Sequence, residues 1–373
     1  MPTILEKLLL ASAGAISERI AFHQVTPQVS LSSHIRSTRA ELARRVASKQ
    51  IIYLDSNAWK CLADFANNKP RLTSEMQYFA KAIERCRLSG NFAFPIGLPT
   101  FFEMDAMTNP ETHEAFVRMV DGLSHGCCTT PFPERIGLEV TRLIKGDLSE
   151  MKDPADFVVS PIELLGIPVL SFGLTELKDV DEATFNKAFY DVISRLPFSA
   201  QLQIAKQHDS AKWNNTRGTA ELNRGKLEHQ TEIANLNTGI LIELRGIISA
   251  WREAEHVELS DNTINAISIN ALYHWHQNPT SKAFPTIRIL SAIYGLMRFD
   301  SSRRYKDGDT ADFQAAAGSL PMAHALFTDR RLANILAEKE IGLSAFVDCS
   351  VVSGFGEMTE FLNGKLDTPR STM

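Results

Sequence analysis

Four carboxylates stand at positions where a strand gives way to a helix, or in the first turn of a helix. Asp55 closes the apolar run Ile51-Ile52-Tyr53-Leu54 and is followed by Ser56-Asn57. Glu103 falls about one helical turn beyond Thr100, just after a second short apolar run. Asp312 heads an Ala-rich helix in Asp309-Thr-Ala-Asp312, and Asp329 ends Leu326-Phe327-Thr328. In an open α/β sheet, ligands bind beyond the carboxyl ends of the strands, so acids at these places face a common crevice. Carboxylates are the hard oxygen ligands that Mg²⁺ and Mn²⁺ prefer, in octahedral sites that keep several waters. One or two such ions held against a phosphodiester generate a hydroxide nucleophile and neutralise the leaving oxygen, with no need of a Ser, Cys or His nucleophile. Without cations the same acids repel one another, which raises some of their pKa values.

The elements that must position these acids are legible in outline. Residues 1–22 and 36–49 read as helices, with a polar Ser-rich connection between them. The run 51–54 has the β-branched and aromatic texture of a buried strand. Helices are predicted at 58–66, 73–88, from Pro99 or Thr100, and at 111–123, with strands at Phe92–Ile96 and Cys127–Thr129. That alternation predicts an α/β unit with a parallel sheet. From about 132 to 285 the spacing turns to helix after helix (182–208, 216–254, 262–276), broken at Pro197, Asn214-Asn215 and Gly218, with Val169–Phe172 the one strand candidate. Strand texture returns at 326–328 and Ala345–Val347, amid helices at 311–318, 331–338 and around 355–363. The expected organisation is an N-terminal helical extension (1–49), a first α/β half (50–131), a helical insertion (132–285) and a second α/β half (286–373).

At 373 residues, 44% hydrophobic and 22% charged, the composition is that of an ordinary globular protein and excludes disordered, collagen-like and coiled-coil classes. With 39 basic and 44 acidic residues the net charge is −5, so a polyanion would have to be held by a local basic patch. Five dispersed cysteines with no C-x-x-C pair point to reduced thiols in a cytoplasmic compartment rather than to disulfides or a zinc site. The longest apolar stretch, Leu164 to Leu174, is too short to span a bilayer, so no membrane partner is expected. Residues 8–16 with Ala11-Ser12-Ala13 mimic a signal peptide, but Glu6 offsets Lys7 and the apolar core is short, which favours an amphipathic helix.

The order of these pieces resembles the PIN domain, a metal-dependent nuclease fold related to the flap-type 5′ nucleases. The resemblance rests on Leu54-Asp55-Ser56-Asn57, on Glu103, on Asp312 with its Ala-rich helix, and on Phe327-Thr328-Asp329-Arg330-Arg331-Leu332, and covers roughly residues 50–130 and 286–365. It implies a three-layer α/β/α fold with a central parallel sheet. It further implies Asp55, Glu103, Asp312 and Asp329 as ligands of Mg²⁺ or Mn²⁺, with Asn57 orienting a ligand or water. Asp309, one turn before Asp312, would serve instead of it or beside it. The implied substrate is single-stranded RNA, or single-stranded DNA, cut as by an endoribonuclease. PIN proteins are usually compact, so the helical insertion departs from the pattern, and a substrate-selecting role, a homo-oligomer contact or an inhibitory protein partner are all open to it.

Plainer readings stand beside these. Asp55, Asp312 and Asp329 all suit ordinary helix caps or first turns, and Glu103 suits a helix dipole. Arg303, Arg304, Lys306, Arg330 and Arg331 neighbour the acids in sequence and are the expected nucleic-acid contacts, although charged helices are usually just solvated. The basic helix with Arg36, Arg39, Arg44, Arg45 and Lys49, and the mixture of Lys206, Lys212, Trp213, Arg217, Arg224 and Lys226, are weaker candidates. His274 and His276, two apart on a helix, cannot share an ion; His324 is a lone candidate substrate contact. The alternatives to a nuclease are a catalytically inactive RNA- or protein-binding scaffold of the same fold, and a haloacid-dehalogenase-type phosphatase. The latter needs a second Asp where Asn57 stands.

Overall fold

The computed structural model describes residues 4–166, 180–206, 219–228 and 233–367. Helices α1 (Ile4–Gln24) and α2 (Leu31–Ala47) lead into β1 (Gln50–Leu54), α3 (Ser56–Ala66), α4 (Ser74–Ser89), β2 (Phe92–Ala93), α5 (Leu98–Asp105), α6 (Pro110–Leu123) and β3 (Cys128–Thr129). Then come α7 (Phe132–Ile144), β4 (Val158–Val159), α8 (Glu182–Ile193), α9 (Phe198–Lys206), α10 (Thr219–Glu228), α11 (Leu236–Ala254), α12 (Asp261–Gln277) and α13 (Pro285–Phe299). The chain closes with α14 (Asp309–Ser319), β5 (Ala325–Thr328), α15 (Arg330–Leu336), β6 (Ser350–Ser353) and α16 (Phe355–Asp367).

A mixed α/β fold with a central parallel sheet results, its four strands ordered β2-β1-β5-β6. In β1, Ile51 and Tyr53 join one apolar cluster while Ile52 and Leu54 join another; in β5, Leu326 faces the first and Phe327 the second. Strands apolar on both faces need cover on both faces. Helices α3, α4, α6 and α16 supply the second cluster, and α2, α7, α11, α12, α13, α14 and α15 the first.

The helices of the insertion therefore share a core with the sheet. Helices α11 and α13 cross where Gly239 meets Gly295: a Cβ on Gly295 would lie 2.7 Å from the backbone nitrogen of Ile240, so only glycine allows the two axes to come this close. Helix α8 packs instead on α1 and α2, in a separate apolar cluster containing Ile16, Ile35, Phe189 and Ile193.

Three expectations change. The last strand is not Ala345–Val347: those residues wind in a 3₁₀ turn over Leu343–Ala345, with the Val347 amide donating to the Leu343 carbonyl, and β6 forms at Ser350–Ser353. As an edge strand, half-exposed and flanked by serines, β6 lacks the apolar run that marks a buried one. The region after 132 is not free of strands, since Val158–Val159 pairs antiparallel with Cys128–Thr129. The second strand stops at Ala93, because the Phe94 amide turns to the Leu123 carbonyl. The strand expected at Val169–Phe172, and Lys212, Trp213, Arg217 and the breaks at Asn214-Asn215 and Gly218, lie outside the described residues. All five cysteines are free thiols, and among the described residues no helix is long and apolar enough to cross a membrane.

Candidate active site

From β1 the chain passes to its neighbour β2, and much later it returns to β5 on the other side of β1. Helix α3 leaves β1 toward one apolar cluster, and α15 leaves β5 toward the other. Such a reversal opens a crevice beyond the carboxyl ends of the two strands. Asp55 and Asp329 sit at its two lips. Asp55 caps α3, its Oδ1 accepting from the Ala58 amide at 2.8 Å; Asp329 caps α15 in the same way, accepting from the Leu332 amide at 2.8 Å. The Asp55 amide donates to the Phe327 carbonyl, which extends the β1–β5 pairing to the site itself.

Glu103 arrives on α5. That helix begins at Gly97, where a Cβ would lie 2.8 Å from both the Tyr53 hydroxyl and Thr129 Oγ1, so glycine permits its start directly over the sheet. The Tyr53 hydroxyl and Thr100 Oγ1, 3.0 Å apart, tie α5 to β1. Asp312 arrives on the first turn of α14.

The four acids feel one another. Burial, and then the charges of Asp329 and Glu103, push the Asp55 carboxyl up to about 7, against the opposing amide of Ala58 and hydroxyl of Thr328. Burial followed by the charges of Asp329, Glu103, Asp55 and Asp309 pushes Asp312 up to about 8. Around neutrality the two share the site with protons, and a cation would displace those protons. The grouping is loose, however. Among the described residues, the set of three such side chains whose ligand atoms come within 4.8 Å of one another is His23, His34 and Asp191, on α1, α2 and α8, and none of the four acids is in it. A cation among the four acids would thus take one or two carboxylates directly and keep waters in its other positions, which is the habit of Mg²⁺.

Two adjoining grooves lead from the crevice. One, of about 430 Å³, is lined by Asp55, Asp329, Thr328 and Arg330; the other, of about 670 Å³, by Glu103, Lys69 and Thr108. Asn57, Lys60, Asp64 and Arg71 line both. Asn57 is exposed and lines both grooves.

Other expected residues are engaged elsewhere. Asp309 is not open to a cation: it is 4% exposed, takes Arg331 through both oxygens at 2.9 and 2.6 Å, and accepts the Lys306 amide at 2.8 Å. Arg331 is accordingly held by Asp309 and by the Arg304 carbonyl rather than turned to a phosphate. Arg303 is tied to Asp300 at 2.9 Å and to Glu338, and its carbonyl accepts Lys226. Arg304, Lys306 and Arg330 are exposed, and of these Arg330 lines a groove. His324 is at the opposite end of β5 from Asp329, its Nδ1 accepting the Ile51 amide. Missed from the sequence was Lys60; Lys69 and Arg71 also line the grooves but are paired with Glu111 and Asp64. Lys60 lies one turn past Asn57 on the helix that Asp55 caps, a spacing that marks it; Lys69 and Arg71 come from the loop after α3 and carry no such signal.

No protein-family model, no curated protein and no solved structure matches the chain.

Proposed function

We propose that the crevice is the active site of a metal-dependent nuclease with PIN-like α/β/α layering, hydrolysing phosphodiester bonds in single-stranded RNA. One observation carries the reading: Asp55, Glu103, Asp312 and Asp329, from four separate elements, share one electrostatic field at the strand-order reversal. Four carboxylates are a donor set for Mg²⁺ or Mn²⁺, and Asp55, Glu103, Asp312 and Asp329 would hold one or two of them. Bound there, the cation supplies an activated water and neutralises charge building on the phosphate. The remaining work falls to the chain itself. Asn57 orients water or a ligand, the Asp309–Arg331 pair braces the first turn of α14 so that Asp312 stays in place, and Lys60 and Arg330 meet backbone phosphates in the grooves. Positioning and electrostatics then supply the rate enhancement.

The test is digestion of a mixed RNA pool with added Mn²⁺, with the ends mapped. The expected outcome is cleavage by the wild type that falls to background in Asp55→Asn and in Asp329→Asn, at unchanged melting temperature. Cleavage that persists in EDTA or in both variants overturns the reading. The loose spacing of the acid oxygens favours a second reading, a non-catalytic RNA-binding scaffold of the same fold. Metal-independent RNA binding with no cleavage of RNA or DNA would establish it.

A further inference from the structure

A second cluster of ligating side chains lies where α8 packs on the two N-terminal helices. His23 Nε2, near the end of α1, is 3.0 Å from Asp191 Oδ2 on α8, and His34 Nε2, in the first turn of α2, is 2.7 Å from Asp191 Oδ1. The side chains are 3%, 16% and 6% exposed for His23, His34 and Asp191, and the two rings meet edge to face at 4.6 Å. Lys187, fully buried one turn earlier on α8, donates to the Val29 carbonyl at 2.9 Å and so fixes the turn that joins the two histidine-bearing helices.

We propose that His23, His34 and Asp191 form a structural Zn²⁺ site that clasps α1 and α2 to α8. Two imidazole nitrogens and one carboxylate oxygen are a donor set for a borderline cation, unlike the all-oxygen crevice. Zinc bonds of about 2.0 Å in a tetrahedron set its ligand atoms about 3.3 Å apart. The imidazoles now meet different oxygens of Asp191, and the three ligand atoms lie within 4.8 Å of one another, so the carboxylate has to turn to present one oxygen to both nitrogens. On binding, each Nε2 gives up its hydrogen bond to Asp191 and its proton, to Nδ1 or to solvent, and no oxidant or further reactant is required. A water fills the fourth position. Two cationic side chains oppose it: the buried Lys187, whose charge acts on His23, and Arg19, whose Nε lies 3.9 Å from Asp191 Oδ2 but whose side chain is 32% exposed and can turn to solvent.

The experiment uses full-length, chelator-treated protein carrying Asp55→Asn and Asp329→Asn, so that the acidic crevice contributes little binding. Titration with Co²⁺ is expected to give one equivalent with the intense visible bands of tetrahedral cobalt, displaced by Zn²⁺. Adding His23→Ala or His34→Gln should abolish those bands and weaken Zn²⁺ binding by more than the roughly 10–100-fold that second-shell changes cost, while Arg19→Gln should tighten it. His34→Gln retains an amide donor toward Asp191 and serves if His23→Ala does not fold. Absent bands, weak octahedral bands, or intense bands that survive both histidine substitutions would overturn the site. Because the readout is spectroscopic, its failure is separate from failure of the nuclease reading.

Discussion

The acidic crevice and the His–Asp–His cluster solve opposite electrostatic problems. In the crevice, like charges converge, and backbone amides at two helix starts are the main groups opposing the repulsion. In the cluster, one carboxylate is met by two imidazoles and a guanidinium, so charge and hydrogen bonding agree. The first arrangement stores unfavourable energy that a cation can release; the second already pairs its charges by hydrogen bonds, so a cation there acts as a clasp between helices and relieves no repulsion. Poor internal satisfaction is thus the better pointer to a reaction site, and good satisfaction to a structural one.

Loss of Asp191 is expected to have the largest effect. Asp191→Ala leaves the buried His23 and the partly buried His34 without their acceptor and is expected to lower stability by about 3 kcal/mol, read by denaturant unfolding; Asp312→Asn, measured alike, should be neutral or stabilising in EDTA. A loss in Asp191→Ala much smaller than expected would show that the cluster is dispensable to the fold.

Acid should act on the two regions with opposite sign. Asp55 and Asp312 bind protons more tightly folded, with values of about 7 and 8, than unfolded near 3.8. Their contribution is therefore complete below the unfolded value and lost as pH rises through 7 to 8. His23, whose pKa is lowered by burial, contributes above its unfolded value of 6.5 and loses that contribution as pH falls below it; Asp191, also lowered, is lost at still more acid pH. In EDTA the melting temperature is expected to rise as pH falls from 8 and to rise less steeply below pH 6.5, where His23 offsets part of the gain. Asp312→Asn should flatten the upper limb, and Mn²⁺ should flatten it too. An unchanged upper limb in Asp312→Asn would deny the coupling among the acids.

Away from both regions, Gly295→Ala forces a methyl into the Ile240 backbone at the α11–α13 crossing and is expected to cost about 1–3 kcal/mol by overpacking. The smallest effect separates the two duties of Asp329. Asp329→Asn keeps a good helix cap, whereas Asp329→Ala should cost about 1 kcal/mol more in stability, and both should remove cleavage.

Much of the frame was legible because its signals are local. The run 51–54 declared a buried strand, Asp55 and Asp329 declared strand-to-helix junctions, and Pro197 broke a helical stretch where α8 ends and α9 begins. Strand β6 was misplaced because a half-exposed edge strand need not be apolar, and Val158–Val159 was passed over because two residues make no period. Asp309 and Arg331 looked like a ligand and a phosphate contact; that they neutralise each other across 22 positions is invisible to spacing. The meeting of His23 and His34 with Asp191, more than 150 positions away, left no mark in the sequence at all.

By itself the sequence determined which segments become strands and helices and which acids stand at their junctions, because hydrophobic period and capping chemistry act over a few residues. Only the tertiary structure decided which charges share a field and which cancel. Coulomb coupling depends on distance and burial in space, and those are set by how the sheet orders its strands and how α8 closes on the N-terminal helices.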